Sequence, residues 1–146
     1  MTLKVKKISD TATLPTFGDP DAAGIDLYVD LKGQKTARLF PRQTLMIGSG
    51  IACEFPDGYF GLVFPRSSAG VKRHLQLANT AGVIDSSYRN EILMAITNTG
   101  DTDQIIHHGE RIAQMILLPY IHYDILEVDE LSETVRGLGG FGSTGV

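Results

Sequence analysis

The chain is short of cysteine, of basic charge, of long apolar runs and of tryptophan, and the shortages are informative. The lone thiol, Cys53, cannot close an internal disulfide, and 146 residues bury a sufficient core without one. Nothing in this usage asks for an oxidising compartment. Cys53 lies in Gly50–Phe55, with no histidine or basic residue close in sequence, and reads as a small buried hydrophobe rather than a reactive thiolate. No apolar stretch reaches the roughly 18 residues of a spanning helix, and Lys4, Lys6 and Lys7 are not followed by the apolar run of a leader. No membrane role is expected. Thirteen basic against seventeen acidic residues leave a net charge of -4, which does not suit a nucleic-acid polymer. It leaves room for a small phosphorylated ligand, for which a few arginines in one cleft suffice. With no tryptophan present, an introduced one would be a sole fluorescent reporter.

What the chain does have is glycine, 16 residues spread along its length, and short apolar runs separated by turn signals. This pattern predicts an all-β fold, a distorted jelly-roll or β-clip type of barrel with at most one short helix. Strands are expected over Leu3–Ile8, Ile25–Leu31, Thr36–Phe40, Thr44–Ile47, Gly50–Phe55, Tyr59–Phe64, Glu91–Thr97 and Ile112–Leu118. Thr11–Pro20 reads as a loop, and Ser67–Arg73 as a short helix or a loop. Ile121–Leu131 fits either strand or helix, and a strand over Ile121–Val128 is the expectation. Residues 1–131 form one barrel domain on this reading. Residues 132–146, with five glycines between Arg136 and Gly145, form a flexible arm.

Several segments concentrate polar chemistry. In Asp21–Leu27, Asp26 stands at a strand start and is either a turn acid or a functional one. Pro65-Arg66-Ser67-Ser68 brings a guanidinium and two hydroxyls to a chain turn, either an anion site or a plain cap beside a surface arginine. No Gly-Lys-Ser/Thr ending makes it a Walker loop. In Asn79–Ile92 one acid, Asp85, sits among small and apolar residues, with Tyr88 and Arg89 behind it and a second turn expected at Arg89–Asn90. An acid in such a setting is structural or chemical, because burying a lone charge is costly. Gly109–Gln114 carries Arg111 and Gln114, which cannot share one face of a regular strand. Arg136–Gly145 is either a disordered tail or an anion nest, with Phe141 placed to stack on a planar ring. The pair His107-His108 has no partner at zinc-site spacing.

Taken together, the chain closely resembles the homotrimeric dUTP diphosphatase family. Its five short motifs occur in order as Ala23-Gly24-Ile25-Asp26-Leu27, Pro65-Arg66-Ser67-Ser68, Asn79 through Ile92, Gly109-Glu110-Arg111-Ile112-Ala113-Gln114 and Arg136 through Gly145. Three departures are visible: Asn90 where glycine is usual, Glu110 where aspartate is common, and Pro65 ahead of the arginine. Asn90 is expected to take up the left-handed turn conformation in place of glycine.

The resemblance implies hydrolysis of dUTP to dUMP and diphosphate, which limits uracil incorporation into DNA and supplies dUMP. It implies Mg²⁺ held by the substrate phosphates and water, with no direct protein ligand and with Asp26 as a candidate helper of the metal's water shell. It also implies a homotrimer whose active sites each draw on three chains. The catalytic set would be Asp85, Asp26, Gln114 and Arg66. Substrate would meet Ser67, Ser68, Asn79, Gly82, Val83, Ile84, Tyr88, Met94, Arg136, Phe141, Gly142, Ser143 and Thr144. Asp85 would accept a proton from the attacking water, Asn79 and strand backbone groups would read uracil, and Tyr88 would leave no space for a 2′-hydroxyl. A cytoplasmic location is expected, or a host cell interior for a viral source. Two alternatives accompany this reading: a dCTP deaminase-like nucleotide enzyme, and a trimeric regulatory protein that keeps the fold but acts by binding a protein partner.

Overall fold

The computed structural model describes residues 1–140. Among these, twelve strands and one helical turn follow in chain order. The strands are β1 (Lys4–Lys7), β2 (Thr16–Phe17), β3 (Ile25–Tyr28), β4 (Thr36–Leu39), β5 (Thr44–Gly48), β6 (Ile51–Glu54) and β7 (Tyr59–Pro65). After the wide helical turn Ser68–Lys72 come β8 (Leu75–Leu77), β9 (Gly82–Ile84), β10 (Leu93–Asn98), β11 (Gln104–His107) and β12 (Arg111–Pro119). The expected all-β class with a single short helix is what the chain adopts.

All pairings are antiparallel. A five-stranded sheet has the order β2-β3-β12-β7-β9, a three-stranded sheet the order β5-β10-β8, and β1 with β6 and β4 with β11 make two further pairs. Few neighbours are consecutive in the chain, so long connections cross between sheets, as in jelly rolls. β12 is the spine of the largest sheet, pairing with β3 along one side and with β7 along the other. Side-chain alternation does the burying. In β10, Met94, Ile96 and Asn98 point inward while Leu93, Ala95 and Thr97 do not. Each fully buried Ile or Met contributes about 1.5–3 kcal/mol. Asn98 is tolerated at 0% exposure because its amide donates to the carbonyls of Leu39 and Thr102 and its oxygen accepts the Gly100 N–H. Gly61 lets β7 lie close to its neighbours: a Cβ there would stand 2.7 Å from Met115 Sδ and 2.8 Å from a Phe55 ring carbon.

The structure corrects several expectations. Ile121–Val128 forms no strand; it runs outside every sheet with Ile121, Tyr123, Ile125 and Leu126 at least 80% exposed. Its alternation is real, but a strand exists only where another backbone pairs with it, and no described residue offers one. The short strands β2, β8 and β11 fall where no strand was expected, because pairing to a longer neighbour creates them. The left-handed residue near the third motif is Thr80 (φ 66°), not Asn90, whose side chain instead accepts the Glu91 N–H. The second turn forms at Ser86–Ser87, closed by the Tyr88 N–H on the Asp85 carbonyl, rather than at Arg89–Asn90.

Candidate active site

Two arginines converge on one buried acid. Asp26 lies in β3, 4% exposed, with Oδ1 2.8 Å from Arg66 Nε and Oδ2 3.0 Å from an Arg111 guanidinium nitrogen. The backbone supplies both arginines. Arg66 leaves the end of β7, where its N–H donates to the Ile112 carbonyl. Arg111 opens β12, opposite Tyr28. The pairing of β12 with β3 then slips between Arg111 and Ala113, so that Gln114 stands opposite Asp26. Paired residues project to the same face, and this bulge brings Arg111 and Gln114 onto the face of Asp26. The alternation rule that kept them apart assumed a regular strand.

Gln114 rests its amide on the Pro65 carbonyl at 3.4 Å, which leaves its other groups outward. Gly24 keeps that corner open, since a Cβ there would come within 3.4 Å of Gln114 Oε1 and 3.3 Å of the Met115 carbonyl. Ser67 and Ser68 are exposed where the chain enters the helical turn, and Ser67 caps it without a side-chain hydrogen bond. Guanidinium, amide and hydroxyl donors thus gather at one end of β7. Such a set binds phosphate oxygens.

The third motif builds a different surface. Its two flanking strands do not pair with each other: β8 joins β10 in the three-stranded sheet, and β9 joins β7 in the five-stranded one. Asn79 and Thr80 turn the chain between them. Thr80 holds a left-handed φ of 66°, unusual for a β-branched residue and a local strain that the surrounding sheets maintain. Strand β9 is an edge strand, so the outward N–H and C=O groups of Gly82, Val83 and Ile84 have no strand partner among the described residues. An edge of alternating donors and acceptors can read a base.

Asp85 follows β9 and is exposed, so within one chain it is not the buried acid its neighbours suggested. Tyr88 is 38% exposed, with its hydroxyl donating to the Glu91 carbonyl at 2.9 Å. Met94 is corrected. At 0% exposure it belongs to the core, and its side chain has no face toward a ligand. Arg136 is exposed in a turn closed by the Gly137 N–H on the Thr134 carbonyl. Phe141, Gly142, Ser143 and Thr144 lie outside the described residues.

The two surfaces are far apart on one chain. Ile84 pairs with Gly61, and Asp85, just past it, lines the same cavity as Phe60. From Phe60 to Arg66 the strand advances about 3.3 Å per residue, roughly 20 Å in all. The backbone that carries Arg66 and the backbone that carries Asp85 therefore lie at opposite ends of β7. Among the described residues no group of three or more His, Cys, Asp or Glu side chains could cage a metal. The one buried acid at the arginine cluster, Asp26, is already engaged by Arg66 and Arg111. Sequence reasoning noticed Arg111 but did not join it to Asp26, and it missed Glu91 as the support of Tyr88. Neither the bulge nor that carbonyl contact leaves a mark in residue type.

A family model described as dUTPase matches residues 10–145. A deoxyuridine 5'-triphosphate nucleotidohydrolase of Escherichia phage T5 is 48% identical over 143 residues, covering 95% of this chain and 96% of its own. One from Hydrogenobaculum sp. (strain Y04AAS1) is 40% identical over 147 residues, covering 100% and 99%. Among solved structures, the dUTPase of Staphylococcus bacteriophage 80alpha with dUPNHPP has a TM-score of 0.89 at 29% identity, covering 99% of both chains. A dUTPase mutant from phage phi11 of S. aureus, described with a structural Mg(II) ion, has a TM-score of 0.81 at 23% identity over 91% of this chain and 100% of its own, a likeness of fold alone.

Proposed function

This chain belongs to the dUTPase family, and from that premise we propose how its residues divide the work. It hydrolyses dUTP to dUMP and diphosphate. The observation that carries the division of labour is the roughly 20 Å of β7 between Asp85 and Arg66. Groups so far apart along one strand are brought to one triphosphate most readily by neighbouring chains, which supports active sites shared between chains of a homotrimer. The exposed apolar residues of the 121–131 segment support the same assembly, since an isolated chain would leave them in water.

Water attacks the α-phosphorus. Asp85 orients it and accepts its proton as the new P–O bond forms and the bond to the diphosphate leaving group breaks. A general base must reach its water at about 2.6–3.2 Å. Arg66, aimed by Asp26, takes the phosphate chain together with Ser67, Ser68 and Gln114. Asp26 is thereby a positioning residue for the arginines rather than a helper of a metal's water shell. Mg²⁺ arriving on the triphosphate supplies charge neutralisation there.

Uracil meets Asn79 and the outward backbone of Gly82, Val83 and Ile84. Cytosine presents a donor where uracil presents an acceptor, which leaves buried groups mismatched. Tyr88 packs beneath the deoxyribose. Residues 132–146 act as an arm that brings Arg136, Phe141, Gly142, Ser143 and Thr144 over the bound nucleotide and excludes bulk water. Among the described residues no helix is long and apolar enough to cross a membrane. A free nucleotide substrate fits work in the cytoplasm, or in a host cell interior for a viral source.

Mixing tests the shared site. Asp85→Asn and Arg66→Ala chains, each inactive alone, are unfolded and refolded together. Regained diphosphate release is expected, because every mixed trimer holds one site with an intact hairpin and an intact arginine. Persistent inactivity in trimers shown to be mixed overturns the sharing. Assay of dUTP, dTTP, dCTP and UTP side by side, with ammonia measured in parallel, separates hydrolysis from deamination.

A further inference from the structure

We propose that Tyr120 is a positioning residue for Asp85, acting through Ser86. The inference rests on the assignment of Asp85 as the base. Among the described residues the Asp85 side chain makes no hydrogen bond or ion pair, and it projects from the short turn at Ser86–Ser87. A free carboxylate on such a turn samples many positions. A displacement of about 1 Å at a reacting group costs on the order of a hundredfold in rate. Some contact must therefore fix the backbone beneath Asp85.

Tyr120 makes that contact. It stands immediately past β12, where its N–H donates to the Gly58 carbonyl at 2.9 Å. Its ring packs edge-on against Phe60, centroids 6.3 Å apart at 76°, and against His122 at 5.0 Å and 85°. The hydroxyl is then 3.0 Å from Ser86 Oγ, the next residue after Asp85. Arg89 anchors the same turn from outside, donating to the Ser86 carbonyl at 2.5 Å. The brace thus runs from the spine of the five-stranded sheet to the peptide that carries the acid. Strand β12 also bears Arg111 and Gln114 at its other end, so one rigid strand sets both the phosphate donors of one site and the base of another. Tyr120 is also where the chain leaves the last strand for the 121–140 segment.

Tyr120→Phe removes only the hydroxyl and keeps the ring packing. Ser86→Ala removes its partner. Both single variants, the double variant and Asp85→Asn are assayed for kcat and KM with dUTP, with thermal melts alongside. Each single variant is expected to lower kcat about 3- to 10-fold, the scale of one neutral hydrogen bond, with KM changed less than about twofold and the melting temperature nearly unmoved. The double variant should be no slower than the slower single, because one bond is lost in every case. Unchanged kcat in either single overturns the proposal. So do losses that multiply in the double, or a loss of rate that tracks loss of folded protein. Near-normal turnover of Asp85→Asn instead removes the base assignment itself, whatever Tyr120 does.

Discussion

Arg66 Nε lies 2.8 Å from Asp26 Oδ1, and the other oxygen of the same carboxylate holds Arg111 at 3.0 Å. One nearly buried acid therefore fixes the direction of two guanidinium groups that face solvent. Replacing it with an amide keeps the shape and removes the charge. Asp26→Asn is expected to destabilise the fold by about 1.5–3 kcal/mol, the scale of a charged hydrogen bond, because the two arginines are only partly buried. KM for dUTP should rise as the arginines lose their aim. Steady-state kinetics beside a urea melt checks both, and an unchanged KM would detach Asp26 from the phosphates.

Asp85→Asn tests the base directly. Turnover should fall by about 10²–10⁴-fold, while a non-hydrolysable dUTP analogue binds within about threefold of wild type. Calorimetry and diphosphate release together make the measurement.

Tyr88 is held by its hydroxyl on the Glu91 carbonyl, so its ring is a fixed surface rather than a swinging one. Tyr88→Ala should lower the preference for dUTP over UTP by at least about tenfold. Equal discrimination by variant and wild type would end the sugar-gate reading.

A chain ending at Val135 lacks the fifth motif but keeps the twelve strands of the described residues. It should assemble as wild type by light scattering and lose nearly all activity. Activity retained by such a chain would count against the arm.

Asp30 gives the fold an acid limit. At 3% exposure, burial pushes its carboxyl up. The Ser9 and Thr11 hydroxyls, the Lys32 N–H and the charge of His108 outweigh that and hold it below its ordinary value of 3.8. A depressed value in the folded state adds stability that is complete above the unfolded value and is lost as pH falls through the folded one. Wild type should therefore lose stability on acidification through the carboxylate range. Asp30→Asn should be less stable near neutrality and flatter on the acid side. Urea melts at both ends of that range give the comparison.

Much of the fold could be read from residue order. The strands at Thr36–Leu39, Thr44–Gly48, Ile51–Glu54 and Tyr59–Pro65 lie within a residue of where alternation and turn residues put them. In each case the apolar face and the punctuation agree. What escaped was whatever depends on a distant partner. Leu75–Leu77 is a strand because β10 lies beside it, and Ile121–Val128 is not, although its pattern is the more regular.

The site divides in the same way. Spacing and residue type pointed to Asp26, Arg66, Gln114, Asp85 and Tyr88 as polar groups worth weighing, and the family resemblance assigned them roles. The Arg111 contact with Asp26 required a register slip that no residue type announces. Met94 was misjudged because inward and outward positions of β10 alternate, and motif membership does not say which is which.

The roughly 20 Å of strand between Arg66 and Asp85 has a kinetic meaning. If neither end completes a site alone, specific activity is governed by mass action. Dilution below the assembly constant should extinguish turnover in fully folded chains, with a reaction order in protein above one. The enzyme would then respond to its own abundance more steeply than in proportion, falling silent as its concentration falls.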